Sequence, residues 1–197
     1  MINEKFGSRV TSAWNDLRPQ TRTLLERAWQ STPPAVEQSR AYDPRADREL
    51  SKLLAALDER TQRKEAGAED ESARQARRLA DTCAQMLTQQ TQSAEVFGQL
   101  IQRAHERQQF ARLDELANGM ALRLAPSELC DMARSQNVVV RALANEVLTQ
   151  APPSLLRALL HDPIDADVAR SVLERQAHEF GLEEAKRTLR EIDEFGG

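Results

Sequence analysis

Few residues in this chain have the types and spacing that chemistry needs. The three histidines, His105, His161 and His178, stand apart: none pairs with another at i+3 or i+4, and no cysteine is near them. A metal site would have to be assembled from distant segments. Cys83 and Cys130 are the only thiols. A nucleophilic thiolate needs a base and an electropositive setting, and Asp131 beside Cys130 provides the opposite. The glycine-rich phosphate loops, the nucleophile elbow and the HExxH zinc motif are all missing. The chain is therefore expected to be non-enzymatic, with no catalytic, cofactor-binding or metal-binding residue and no cofactor.

Arginines and tryptophans remain. Arg112, Arg141 and Arg170 recur at a step of 29 residues, and Phe110, Val139 and Val168 keep the same step. A guanidinium fork suits carboxylates and phosphates, so three on one edge would grip an acidic partner. The plainer alternative has each one bonded to a corner carbonyl or acid of its own neighbourhood, with Asp165 serving Arg170. Trp14 and Trp29 both fall within the first thirty residues. They either pack a core or anchor a partner. These five residues, Arg112, Arg141, Arg170, Trp14 and Trp29, are the candidate partner-binding set.

The elements that must position them are helices. Ala, Leu, Gln, Arg and Glu dominate the sequence, aromatics are 4%, and β-branched residues form a run only at 138–140. That balance favours helix throughout. Val10, Ala13, Trp14 and Leu17 carry helical spacing up to Pro19; Leu24, Leu25 and Ala28 mark a second helix. Residues 31–44 hold three prolines and read as a linker or an extended wrap. Asp43-Pro44 starts a long helix with the stripe Leu50, Leu53, Leu54 and Leu57. Gly67 suits the turn into another, striped by Ala76, Leu79, Cys83 and Leu87. Together they predict a hairpin with coiled-coil-like packing. Ser93 caps a helix whose inward face is Val96, Phe97, Leu100, Ile101 and Ala104.

Beyond that point the chain repeats, with corners at 124–129, 150–156 and 180–185. A fixed step of this kind signals stacked helix pairs, because one pair cannot bury its apolar face alone. Leu143, Val147 and Leu148 are expected to pack on Leu155, Leu156, Leu159 and Leu160, and those on Val168, Val172 and Leu173. Three domains follow: 1–42, a helical hairpin and linker; 43–92, a long hairpin; 93–197, the repeats.

The formal charge is −4 in 197 residues. Residues 109–197 hold 10 Lys and Arg against 15 Asp and Glu, so no basic patch offers itself to nucleic acid. Two cysteines are too few for a disulfide framework. No apolar run approaches the ~20 residues of a membrane span, and the first residues carry no signal-peptide core. A cytoplasmic location without membrane contact is expected.

The segments ARSQNVVVRALANEVL and LHDPIDADVARSVLERQ resemble the second helices of HEAT-type repeats, of the degenerate kind that bacterial chains carry. The matching positions are Val140-Arg141-Ala142, Asp162-Pro163 and Val168-Ala169-Arg170, and the resemblance covers about 93–194. The step of 29 is shorter than the family's roughly 40, and the acid five residues before the arginine occurs only at Asp165. The resemblance implies an all-α fold: N-terminal helical hairpins followed by a right-handed stack of antiparallel helix pairs, an α-solenoid. It implies a protein–protein interaction scaffold. The alternatives are a nucleic-acid-binding helical-repeat protein similar to the alkylpurine DNA glycosylases, and a self-assembling structural protein. In the last case two copies would pair through the 43–92 hairpin as a homodimer.

Overall fold

Four prolines open helices in the computed structural model, which describes residues 6–30, 42–64 and 71–195. They are Pro19 of α2, Pro44 of α3, Pro126 of α7 and Pro153 of α9. At a first helical position the missing N–H would have had no partner anyway. The fold is all-α, with eleven helices and no strand among the described residues. The proline-bearing stretch before Tyr42 and the turn at Gly67 lie outside them.

Contacts divide the chain into two compact units, residues 1–96 and 97–197, with the boundary inside α5 (Ala94–Glu106). The first holds α1 (Ser8–Asn15), α2 (Pro19–Gln30), α3 (Pro44–Lys64) and α4 (Glu71–Gln90). α1 packs on α3, and α2 packs on both α3 and α4, so the contacts do not separate 1–42 from 43–92. Leu50, Leu53, Leu54 and Leu57 of α3 and Ala76, Leu79, Cys83 and Leu87 of α4 are buried. The stripe expected to receive a second copy is thus used up within the chain.

Polar side chains strap this unit together. Arg18, at the α1–α2 corner, donates from Nε to Glu49 Oε1 (2.6 Å) and from Nη2 to Asp43 Oδ2 (2.7 Å). Asp43 also caps the start of α3, its Oδ1 accepting from the Arg45 N–H at 2.9 Å. Buried Asp47 accepts from the hydroxyls of Thr91 (2.5 Å) and Tyr42 (3.1 Å), tying the end of α4 to the start of α3.

The second unit continues with α6 (Phe110–Arg123), α7 (Pro126–Ala133), α8 (Val138–Thr149), α9 (Pro153–Leu159), α10 (Ala166–His178) and α11 (Glu183–Phe195). α6 packs on α8 and α8 on α10; α7 packs on α9 and α9 on α11; α7–α8, α9–α10 and α10–α11 are also in contact. On the other side α6 meets α5. A Cβ on Gly119 would lie 3.2 Å from the Phe97 ring, and the Arg123 guanidinium lies over that ring at 5.0 Å.

The Val-Val-Val run at 138–140 is helical despite its β-branched residues, because Asn137 caps it. Asn137 Oδ1 accepts from the N–H groups of Val139 (3.0 Å) and Val140 (3.2 Å). At the other end of the unit, Gly181 takes φ +66°, a conformation that glycine adopts without a Cβ penalty, and turns the chain from α10 into α11.

α6, α8 and α10 begin at 110, 138 and 166, a step of 28 residues. Burial follows the same step. Leu116, Ala144 and Val172 form one buried row, and Met120, Leu148 and Gln176 a second. Gln176 is the polar member. Its Nε2 donates to the carbonyls of Thr149 and Ala151, both at 2.8 Å, which serves acceptors at the α8 C-terminus that the helix itself leaves open.

Several inward expectations change. Leu156 is fully buried, but Leu155 is exposed and Leu143, Leu159, Leu160 and Val168 are only half-buried. α9 has just seven residues, so only one side of it can face the core.

Candidate functional site

The difference between a step of 28 and a step of 29 decides what the arginines do. Arg112 is the third residue of α6, Arg141 the fourth of α8 and Arg170 the fifth of α10. Each slip of one residue turns the side chain by about 100° around its helix. Their surroundings differ accordingly. Arg141 Nη1 donates to the Ser135 carbonyl at 2.8 Å, in the corner before its own helix. Arg170 bonds Glu174 (3.1 Å) and, on α11, Asp193 (2.7 Å). The Arg112 side chain has no hydrogen-bond or ion-pair partner among the described residues. The structure does not give the three arginines equivalent places.

Asp165, expected beside Arg170, instead accepts from Arg134 Nη2 at 2.8 Å, and its side chain is 5% exposed. Arg134 also holds Asp131 (2.6 Å) and, through Nη1, the Ile164 carbonyl (3.1 Å). One guanidinium thus clamps the end of α7 to the corner that opens α10. The hydrogen bonds that Arg134 donates to Asp165 and then to Asp131 raise its pKa. Cys130 lies next to this pair. Burial, and after it the Asp165 charge, push its thiol up to about 11, the opposite of what a nucleophile needs.

Trp14 is 3% exposed, under the Arg22 guanidinium at 5.6 Å. Its ring belongs to the core of the first unit, so it is not a partner anchor. Trp29 is half-buried, and its indole N–H has no hydrogen-bond partner among the described residues. The histidines are all exposed. Among the described residues no cluster of His, Cys, Asp and Glu could hold a metal, and no helix is long and apolar enough to cross a membrane. A cleft of about 500 Å³ in the first unit is walled by Leu24, Tyr42, Asp43, Asp47, Met86 and Gln90 among others.

What the second unit does carry is exposed apolar side chains, Phe110, Leu122, Val138, Leu155, Ile164, Phe180 and Leu182. The large apolar side chains left exposed among the described residues all belong to the 97–197 unit. Phe110 and Val138, each 65% exposed, are the first residues of α6 and α8. Ile164, 70% exposed, stands just before α10. Its corner is held on both sides: Asp162 Oδ1 accepts from the Ile164 N–H at 2.8 Å, and Arg134 takes its carbonyl. One and two turns further along, the outward positions are Asp114 and Asn118 on α6, Ala142 and Glu146 on α8, and Arg170 and Glu174 on α10. Asp114 and the adjoining Glu115 have no partner among the described residues.

The sequence reading missed Phe110, Val138, Ile164 and Arg134 as site residues. The three apolar ones look like core until their place in a helix is known. A signal was present for two of them, since an apolar residue at the first helical position precedes the inward stripe. Comparison with family models, with curated proteins and with solved structures finds no match to this chain.

Proposed function

We propose that the chain is a non-enzymatic protein-binding module, with the 97–197 unit a HEAT-like stack of antiparallel helix pairs, an α-solenoid in miniature. The exposed apolar side chains at or just before the openings of the alternate helices α6, α8 and α10, Phe110, Val138 and Ile164, carry the reading. A folded surface rarely leaves several large apolar groups this exposed unless something covers them. The packing of α6 on α8 on α10 and of α7 on α9 on α11 supports the repeat, as do the buried rows at a step of 28. In this reading the first unit is a helical appendage whose polar straps are structural.

The test is affinity purification of the tagged full-length chain from its native organism, beside a Phe110→Ser/Val138→Ser variant checked for folding by circular dichroism. The expected result is a reproducible partner that the variant loses. A monodisperse chain with no reproducible partner would count against the module reading as a whole.

A further inference from the structure

We infer that residues 91–93 are a hinge latched by a relay of hydrogen bonds that starts at Asp47, and that this relay decides how firmly the first turn of α5 is held. α4 ends at Gln90 and α5 begins at Ala94, so only Thr91, Gln92 and Ser93 stand between the two helices. A hinge is a few residues at the ends of elements that take up a change of backbone angle. α5 is also the helix in which the boundary between the two compact units falls, after Val96. Whatever fixes 91–93 therefore fixes the start of the helix that carries the chain from one unit into the other.

Thr91 is fully buried, and its hydroxyl donates to Asp47 Oδ2 at 2.5 Å. The same hydroxyl oxygen accepts from the Ser93 N–H at 3.1 Å. Ser93 Oγ in turn accepts from the Val96 N–H at 3.5 Å, which caps the start of α5. Proton count dictates this order. A carboxylate oxygen only accepts, and a hydroxyl has a single proton to give. Thr91 gives it to Asp47, so its lone pairs are left for Ser93. Bonds in such a chain polarise one another. The far end is Tyr42, whose hydroxyl donates to the same Asp47 oxygen at 3.1 Å and which walls the cleft beside α2. The buried apolar face of α5, Val96, Phe97, Leu100 and Ile101, cannot replace the relay. Apolar burial has no direction, whereas the relay sets the angle at which the helix begins.

Amide hydrogen exchange on the full-length chain, read residue by residue by nuclear magnetic resonance, tests the latch. The amides of residues 98–101 bond the carbonyls of 94–97, so their exchange reports opening of the first turn of α5. Those of residues 80–87 in α4 report loosening of the first unit as a whole. Thr91→Val keeps the shape of the side chain and removes both bonds of its hydroxyl. It should speed exchange at 98–101 by about tenfold or more, and at 80–87 much less. Thr91→Ser keeps the hydroxyl and should hold 98–101 near the natural rate. Tyr42→Phe, which removes the far donor, should change the rate in the same direction as Thr91→Val and by less.

Exchange at 98–101 that is the same in Thr91→Val as in the natural chain overturns the inference. So does equal acceleration at 98–101 and 80–87, since the loss would then belong to the whole unit and not to a hinge. A Thr91→Ser chain that exchanges as fast as Thr91→Val overturns it too, because the hydroxyl would then not be the latch. Should Thr91→Val fail to fold, Tyr42→Phe carries the test: acceleration confined to 98–101 supports the relay, and an unchanged rate there refutes it.

Discussion

Replacing Arg134 by Ala should destabilise the 97–197 unit more than any substitution in the series Arg112, Arg141 and Arg170. The change removes the 2.8 Å bond to Asp165 and leaves a carboxylate that is 5% exposed without its cation. Breaking a fully buried pair costs about 3–5 kcal/mol, most of it from the charge left behind. Here the Arg134 side chain is 33% exposed, so water reaches one end of the pair and part of the penalty is relieved. We expect about 2–3 kcal/mol. The lost bond to the Ile164 carbonyl adds little, because that corner is open to solvent. Asp165→Asn removes the charge and keeps an acceptor, so it should cost less, and the double variant should cost less than the sum of the two. Urea denaturation followed by far-ultraviolet circular dichroism suits the measurement, since both tryptophans lie in the other unit. Arg170→Ala is the control: its partners Glu174 and Asp193 are 49% and 60% exposed, and its loss should barely move the transition. Equal effects of the Arg134 and Arg170 changes would refute the clamp.

Leu156→Ala should cost about 2–5 kcal/mol and half-buried Leu143→Ala only about 1 kcal/mol, a contrast that denaturant melts resolve; equal losses would mean that α8 is phased differently. Cys130 holds its proton more tightly in the folded chain than in the unfolded one. Its contribution is complete below pH about 9 and is lost as pH rises towards about 11, amounting to at most about 3 kcal/mol. Melts at both ends of that window should show the fall in the natural chain and a smaller one in Cys130→Ala. At the acid end, the hydrogen bond from Arg18 holds Asp43 below the ordinary carboxylate range; for Glu49 burial works upward, but hydrogen bonds from Thr21 and Arg18 outweigh it. Both groups therefore stabilise the fold above pH about 4 and cease to do so as pH falls through their lowered values, so Arg18→Ala should flatten the acid limb of a stability–pH curve.

Much of the fold was legible in composition and spacing. Asp43-Pro44 marks a helix start because proline and its neighbours act locally. The inward face from Val96 to Ala104 follows from a period that one helix sets by itself. The candidate site was less legible, for reasons of register. The arginine step of 29 is real in the sequence, but the helices advance by 28, and one residue of slip per unit is enough to send the three side chains to different surroundings. Arg134 carries no motif. Its partner Asp165 lies 31 residues away, and only the packing of the helices between them makes the two neighbours. Leu155 belongs to an apolar cluster in sequence and still faces outward, because a helix of two turns has a single face to bury.

The polar member of the second buried row bears on how freely such units could be exchanged. A Leu or Met in that row asks only for apolar company, so Met120 and Leu148 could trade places with modest repacking. Gln176 asks for two carbonyls at one distance, and the end of α8 supplies them. Move its helix to another place in the order, or splice an extra pair in front of it, and a buried amide loses its acceptors at a cost of roughly 1–3 kcal/mol. The order therefore has a grammar: α10 can follow α8 and resists following a helix that does not end in those two carbonyls. Lengthening the second unit by duplicating α9 and α10 would fail at that junction, where the displaced Gln176 no longer meets the Thr149 and Ala151 carbonyls.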